Sequence, residues 1–167
     1  PCVILSKHQS GWETFYLQRL LRPVSTILKK ELFWIPFFGW ALYFMHPVAI
    51  NRNRPKEALK QILSQGLQRL ASGKNVLIYP EGTRVPPGKI GRYGRSGAAL
   101  AIAAGVQIIP VAHNAGHCWP AHAFIKWPGQ IHISIGEPIE TNSDDDSRLL
   151  TERIKNVIEA TQKTLQH

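Results

Sequence analysis

Three short clusters hold the residues that could do chemistry or shape a site, and the first two each follow directly on an apolar run. The first, Lys7-His8-Gln9-Ser10-Gly11-Trp12-Glu13, comes after Val3-Ile4-Leu5. His8 and Glu13 stand five positions apart, so if the chain enters a helix near Ser10 the carboxylate folds back toward the imidazole. A carboxylate that accepts one ring N–H fixes the tautomer and raises the basicity of the other nitrogen, as a general base for an alcohol requires. The same spacing also describes a histidine ahead of a helix with an unrelated surface glutamate. The second cluster, Glu81-Gly82-Thr83-Arg84, follows Asn75-Val76-Leu77-Ile78-Tyr79. Gly82 lets backbone approach a ligand closely, Thr83 offers a hydroxyl, and Arg84 offers a planar fork matched to phosphate oxygens. An ordinary turn with an exposed ion pair is the plainer reading. The third, Ile109-Pro110-Val111-Ala112, has no reactive side chain, and its proline shapes the backbone.

The elements that must position these clusters follow from periodicity. Val3 to Leu5 predicts a buried strand, and Trp12, Phe15, Tyr16 and Leu20 recur at helical spacing until Pro23. Leu59, Ile62, Leu63, Leu67 and Leu70 form one stripe, predicting an amphipathic helix from Pro55 to Ser72 with proline in its first turn. Asn75 to Tyr79 predicts a strand, Gly82 to Gly97 a loop, Ser96 to Ala104 a helix stopped by Gly105, and Gln107 to Ala112 a further strand. Strand, loop, helix and strand in that order imply a parallel crossover unit. Ile131, Ile133 and Ile135 alternate with polar residues, predicting a strand buried on one face. A last helix starts after Asp144 to Asp146, with Leu150, Ile154, Val157, Ile158 and Leu165 as its apolar stripe. The expected fold class is α/β, a mixed, mostly parallel sheet flanked by helices. In such open sheets ligands gather beyond the strand ends, where the polar clusters lie.

The chain has 167 residues, 44% hydrophobic and 19% charged, which suits one globular domain and argues against wholesale disorder. Its formal charge of +9 points to an anionic partner: nucleic acid, lipid headgroups or a phosphorylated small molecule. Two cysteines, Cys2 and Cys118, are too few for a disulfide framework. The stretch from Leu32 to Asn51 lacks Lys, Arg, Asp and Glu, but Pro36, Gly39 and Pro47 interrupt it, so it is not read as a bilayer span. It holds Phe33, Trp34, Phe37, Phe38, Trp40, Tyr43 and Phe44, a block suited either to a core or to lipid. The chain opens on Pro1 with no initiator Met or signal-like segment, and is expected to be a single domain, residues 1–167, cut from a longer one.

Taken in order, His8-x4-Glu13, the block from Lys30-Glu31-Leu32-Phe33-Trp34 to Ile35-Pro36-Phe37-Phe38-Gly39, Glu81-Gly82-Thr83-Arg84 and Ile109-Pro110-Val111-Ala112 resemble the glycerolipid (lysophospholipid) acyltransferase family, and within it the bacterial branch that acylates lysophosphatidic acid. The family's first block ends in Asp; here it ends in Glu13, one methylene longer. The resemblance implies a glycerol-3-phosphate acyltransferase-like fold and transfer of a fatty acyl group to the sn-2 hydroxyl of lysophosphatidic acid, giving phosphatidic acid. The donor would be acyl-CoA or acyl-carrier protein, acting as a substrate, with no cofactor and no metal. It implies that His8 deprotonates the acceptor hydroxyl, that Glu13 orients His8, and that Lys30 and Arg84 hold the phosphate while Gly82 and Thr83 shape its pocket. Glu81 belongs to that pocket as a structural or orienting residue, because a second carboxylate would repel phosphate. The aromatic block would line an acyl groove or press into an anionic membrane surface. The expected location is the cytoplasmic face of the cytoplasmic membrane, peripheral or held by an N-terminal membrane-associated segment.

Other readings start from other residues. His113, His117, Cys118 and His122 include a metal-like His-x3-His spacing but sit among loop formers and have no second ligand pair. Nucleic-acid binding would draw on Arg52, Arg54, Lys56, Arg84, Lys89, Arg92 and Arg95, yet these are scattered among glycines and prolines without a module signature. No nucleic-acid partner is therefore expected. A catalytically silent lipid-binding relative is a third reading, prompted by Glu13.

Overall fold

The computed structural model describes residues 1–44, 47–51 and 54–165, and of Phe38 the backbone only. Arg52, one of the basic residues named above, lies outside them. Six strands, β1 (Val3–Ser6), β2 (Val24–Lys29), β3 (Val48–Ile50), β4 (Asn75–Ile78), β5 (Ile108–His113) and β6 (Ile133–Ile135), form one sheet in the order β3-β2-β4-β1-β5-β6. All neighbours pair parallel except β6, which runs antiparallel to β5. The sheet is thus mixed and mostly parallel, as the sequence pattern predicts.

Period-two alternation sorts the strand residues onto two faces. Val3, Leu5, Val76, Ile78, Ile108 and Ala112 face one core; Ile4, Leu77, Tyr79 and Val111 face the other. Helices α3 (Pro55–Ala71), α4 (Ser96–Ala104) and α6 (Ser147–Thr164) cover the first face, while α1 (Trp12–Leu20) covers the second through Leu17. Both faces being covered explains why β1 and β4 read as continuous apolar runs. The chain leaves β1 for a helix on one face and leaves the adjacent β4 for a helix on the other. The crevice between their carboxyl ends is therefore a topological switch point, where open α/β sheets place ligands.

Several elements depart from the sequence pattern. The crossover from β4 through α4 reaches β5, but β1 lies between the two strands. Along α3 the buried line is Ala58, Ile62, Gly66 and Leu70, while Leu59 and Leu67 lie on the flank. Gly66 marks a close approach of α3 to α4, since a Cβ there would meet Leu100 Cδ2 at 2.7 Å. The alternating isoleucines are only partly covered: Ile131, just before β6, and Ile133 are half-buried and Ile135 is exposed, because β6 is a three-residue edge strand that α1 faces across a pocket lined by Trp12, Tyr16 and Leu20. In α6 Val157 turns outward, and Thr151, Glu159 and Gln162 join Leu150, Ile154 and Ile158 in the buried set. Asp146 caps this helix by accepting the Arg148 N–H at 2.6 Å. Gly105 ends α4 in the left-handed conformation, φ 61°, as the glycine stop requires.

The uncharged aromatic stretch follows β2 as a 3-10 turn (Lys30–Trp34) and a short helix, α2 (Phe38–Phe44). Only Leu42 of its large side chains is buried among those described, while Trp34, Phe37, Trp40, Tyr43 and Phe44 are exposed. Most of its described aromatic side chains therefore lie at the surface rather than in the core. Among the described residues no helix is long and apolar enough to cross a membrane.

Leu100 is fully buried at the α3–α4 approach, so Leu100→Ala should lower unfolding free energy by about 2–5 kcal/mol, read from urea denaturation with an unchanged slope.

Candidate active site

The turn from β1 into α1 explains how His8 meets Glu13. Ser10 Oγ accepts the Trp12 N–H at 3.1 Å, and Glu13 Oε1 accepts the N–H groups of Ser10 at 2.8 Å and Gln9 at 2.9 Å. This reciprocal cap folds the glutamate back over the helix start. The same Oε1 lies 2.9 Å from His8 Nδ1, so the longer side chain reaches the ring without loss of contact. A carboxylate only accepts; Nδ1 therefore carries the proton and Nε2 keeps a lone pair. Burial opposes the charge of Glu13, but the hydrogen bond from His8, the nearby His113 ring and the Ser10 N–H outweigh it and hold the carboxyl below its ordinary range. The His8 ring stacks on Tyr79, centroids 4.2 Å apart, which fixes its tilt.

The Glu81–Val85 segment grips the backbone of His8 from the other side. Val85 N–H donates to the His8 carbonyl at 2.8 Å, and the His8 N–H donates to Glu81 Oε2 at 3.1 Å. Glu81 Oε1 in turn pairs with Lys7 Nζ at 2.7 Å, and Lys7 Nζ pairs equally closely with Glu159 of α6. Tyr93 Oη donates to Glu159 at 2.8 Å, and burial together with that carboxylate raises its phenol pKa. Lys7 is wholly buried and the Glu81 side chain is likewise inaccessible. Glu81 thus faces the interior rather than a substrate pocket, because its oxygens are taken by Lys7, His8 and the Gly91 N–H.

His113, at the end of β5, is buried beside this assembly. Its Nε2–H donates to the Lys7 carbonyl at 2.9 Å and its Nδ1 accepts the Ala115 N–H at 3.3 Å, a pairing only a neutral ring satisfies. Burial, opposed by Glu13, keeps its pKa below the ordinary value. His113 is therefore tied into the strand ends and not set up as a metal ligand. Among the described residues no three His, Cys, Asp or Glu side chains gather to hold a metal ion.

A cleft of about 250 Å³ opens over the dyad, lined by His8, Gly11, Thr14, Lys29, Tyr79 and Arg84 among others. Arg84 reaches it as the sequence pattern implies. Lys30 does not line it: the adjacent Lys29, last residue of β2, occupies that wall, and Lys30 begins the 3-10 turn on the exposed side. Thr83 and Gly82 are exposed; Gly82 adopts φ 67° and borders a second, apolar cavity of about 650 Å³. That cavity runs between the ends of β2 to β4 and helices α3 and α4, past Ile27, Ala58, Ile62, Ile78 and Ala99. Ile27 and Tyr79 line both spaces, so the two adjoin at the ring that stacks on His8. The sequence pattern assigns no role to Lys7 or Tyr79, offers His113 only as a metal ligand, and leaves Lys29 as an equally basic neighbour of Lys30. The signal for Lys7 and His113 was their position, each at a strand end beside the switch point.

This architecture is that of an acyltransferase: residues 1–114 match the sequence model of the acyltransferase family, to which the chain belongs. It is 51% identical over 144 residues to the 1-acyl-sn-glycerol-3-phosphate acyltransferase of Pseudomonas aeruginosa, covering 86% of this chain and 56% of that protein. A protein of the same description from Chlamydomonas reinhardtii is 32% identical over 87% of the chain and 44% of its own length. The chain thus spans about half the length of these relatives. The fold matches the crystal structure of the 1-acyl-sn-glycerophosphate (LPA) acyltransferase PlsC from Thermotoga maritima with a TM-score of 0.81 at 23% identity, over 99% of this chain and 66% of that one.

Two outcomes test the geometry. Lys7→Met leaves two carboxylates without their buried cation and should cost about 3–5 kcal/mol of stability in denaturant titration. Because the unfolded His113 takes up a proton below about pH 6.5 while the buried ring resists it, stability should decline as pH falls through and below that value. His113→Asn should flatten that part of the slope, measured as the urea midpoint from pH 7 to 5.

Proposed function

We propose that the chain transfers a fatty acyl group from an acyl thioester, acyl-CoA or acyl-carrier protein, to the sn-2 hydroxyl of lysophosphatidic acid, yielding phosphatidic acid. The observation that carries this reading is the His8–Glu13 pair, 2.9 Å apart, with its free Nε2 on a cleft that also holds Arg84 and Lys29 and adjoins an apolar cavity. In this reading His8 Nε2 takes the hydroxyl proton as the oxygen attacks the thioester carbonyl. The C–O bond forms, the C–S bond breaks, and the sulfur leaves with the proton from His8. No acyl-enzyme is required and no cofactor or metal takes part. Glu13 stabilises the transient imidazolium by charge, a role that a buried carboxylate held in its ionised form fills well.

Arg84 and Lys29 hold the acceptor phosphate, the first through its planar fork and the second as a point charge. Lys30 is left as a surface cation. The apolar cavity takes the acyl chain; its volume lies within the range of ordinary ligand pockets. The exposed aromatic arm from Trp34 to Phe44 fits the boundary of an anionic bilayer, and the +9 charge of the chain favours the same surface. We place the protein at the cytoplasmic face of the membrane, peripheral or held by a membrane-associated N-terminal segment.

His8→Ala should lower turnover of lysophosphatidic acid by about 10²–10⁴-fold with folding intact by circular dichroism; full turnover in that variant would remove the general-base role. Arg84→Ala should raise the KM for lysophosphatidic acid and spare a phosphate-free monoacylglycerol acceptor. Replacing Trp34, Phe37 and Trp40 by Ser should weaken co-sedimentation with anionic liposomes, and an oligonucleotide should give no gel shift at moderate salt.

A further inference from the structure

The acyl-transfer reading uses only two of the chain's cations, Lys29 and Arg84, and needs one phosphate site. A second cationic site lies elsewhere on the same rim. Arg92, Arg95, Arg148 and Lys155, with Thr151 and Glu152, enclose a pocket of about 350 Å³ between the loop before α4 and the first turns of α6. Glu152 is spent on Lys155 at 3.2 Å. Among the described residues, Arg92, Arg95 and Arg148 have no carboxylate partner, so three exposed arginines border one pocket with no ion pair to compensate their charge. Such forks match the oxygens of a phosphate group, which carries more negative charge than a carboxylate or an equal charge over more oxygens.

The pocket neighbours the apolar cavity. Arg95 lines both, and Ser147 of the cavity wall is the chain neighbour of Arg148. Gly82 and Gly94 border the cavity between Tyr79 and Arg95, and a Cβ at Gly82 would meet nothing within 4 Å, so the rim there is open. An amphiphile with its chain in the cavity and its thioester beside Tyr79 and His8 thus has a path along the two glycines toward the three arginines. The acceptor carries one phosphate, which the cleft on the other side of Tyr79 already receives.

Building on that reading, we infer that Arg92, Arg95 and Arg148 bind the phosphate of the donor's 4′-phosphopantetheine arm. That group is common to acyl-CoA and acyl-carrier protein. The pocket therefore sets donor affinity and leaves the chemical step to His8.

The test is the double variant Arg92→Ala/Arg148→Ala, two exposed side chains that line the cationic pocket and not the apolar cavity, assayed with palmitoyl-CoA, palmitoyl-acyl-carrier protein and palmitoyl-N-acetylcysteamine, a thioester without phosphate. The KM for both phosphorylated donors should rise about tenfold or more, while kcat, the KM for lysophosphatidic acid and turnover of the phosphate-free thioester stay within about twofold of the parent. An unchanged donor KM overturns the inference, as does an equal penalty on the phosphate-free thioester. A rise confined to one phosphorylated donor also overturns it, pointing to the nucleotide phosphates or to the carrier's acidic surface. Calorimetric binding of palmitoyl-CoA to parent and variant separates the two readings. A parent that binds it about tenfold more tightly than the variant but transfers nothing upholds the pocket and defeats acyl transfer; a transferring parent with equal binding in the variant defeats the pocket alone.

Discussion

The site hangs on a buried cation. Lys7 sits at the end of the central strand with no access to water, held between Glu81 and Glu159 at 2.7 Å each. Removing a charge from water carries a large penalty, so it is tolerated here only because two carboxylates and a backbone carbonyl surround the ammonium group. The arrangement joins three parts of the chain that are distant in sequence: the end of β1, the loop after β4 and the last helix. Glu81 spends its other oxygen on the N–H of His8, so the histidine backbone is fixed by the same ion pair that closes the core. The helix farthest along the chain thereby helps to hold the imidazole in place.

Much of this was legible in the residues, and what was not has physical reasons. The strands β1, β4 and β5, the helices α1, α3, α4 and α6 and the mixed sheet follow from apolar runs, helical spacing and glycine or aspartate caps. The pairing of His8 with Glu13 follows from a helix start that brings position 13 back over position 8. β2 and β3 carry no comparable signal, because Val24–Lys29 mixes Ser, Thr and Lys into its run and Val48–Ile50 is only three residues long. That Lys29 rather than Lys30 lines the cleft depends on which way two adjacent side chains leave a strand end, which composition does not encode. Glu81 reads as a site residue because it precedes Gly82, Thr83 and Arg84, yet its environment is set by Lys7, 74 positions earlier in the chain. Long-range ion pairs of this kind leave no local periodicity.

The switch point explains why these features share one edge of the sheet. β1 and β4 are neighbours whose following segments depart to opposite faces, so one crevice receives the His8 turn from one side and the Glu81–Arg84 loop from the other. Tyr79, the residue just beyond β4, stands between the polar cleft and the apolar cavity and lines both. A polar cleft and an apolar cavity thus meet at one edge of a single sheet rather than at a boundary between separate domains.

Glu13 serves two structures with one oxygen, orienting the imidazole and capping the start of α1. The buried amides of Gln9 and Ser10 therefore share their acceptor with the imidazole, and a displacement of that carboxylate breaks three hydrogen bonds at once. The dyad and the first turn of α1 are one mechanical unit, so the helix cannot fray at its start without releasing the ring it orients.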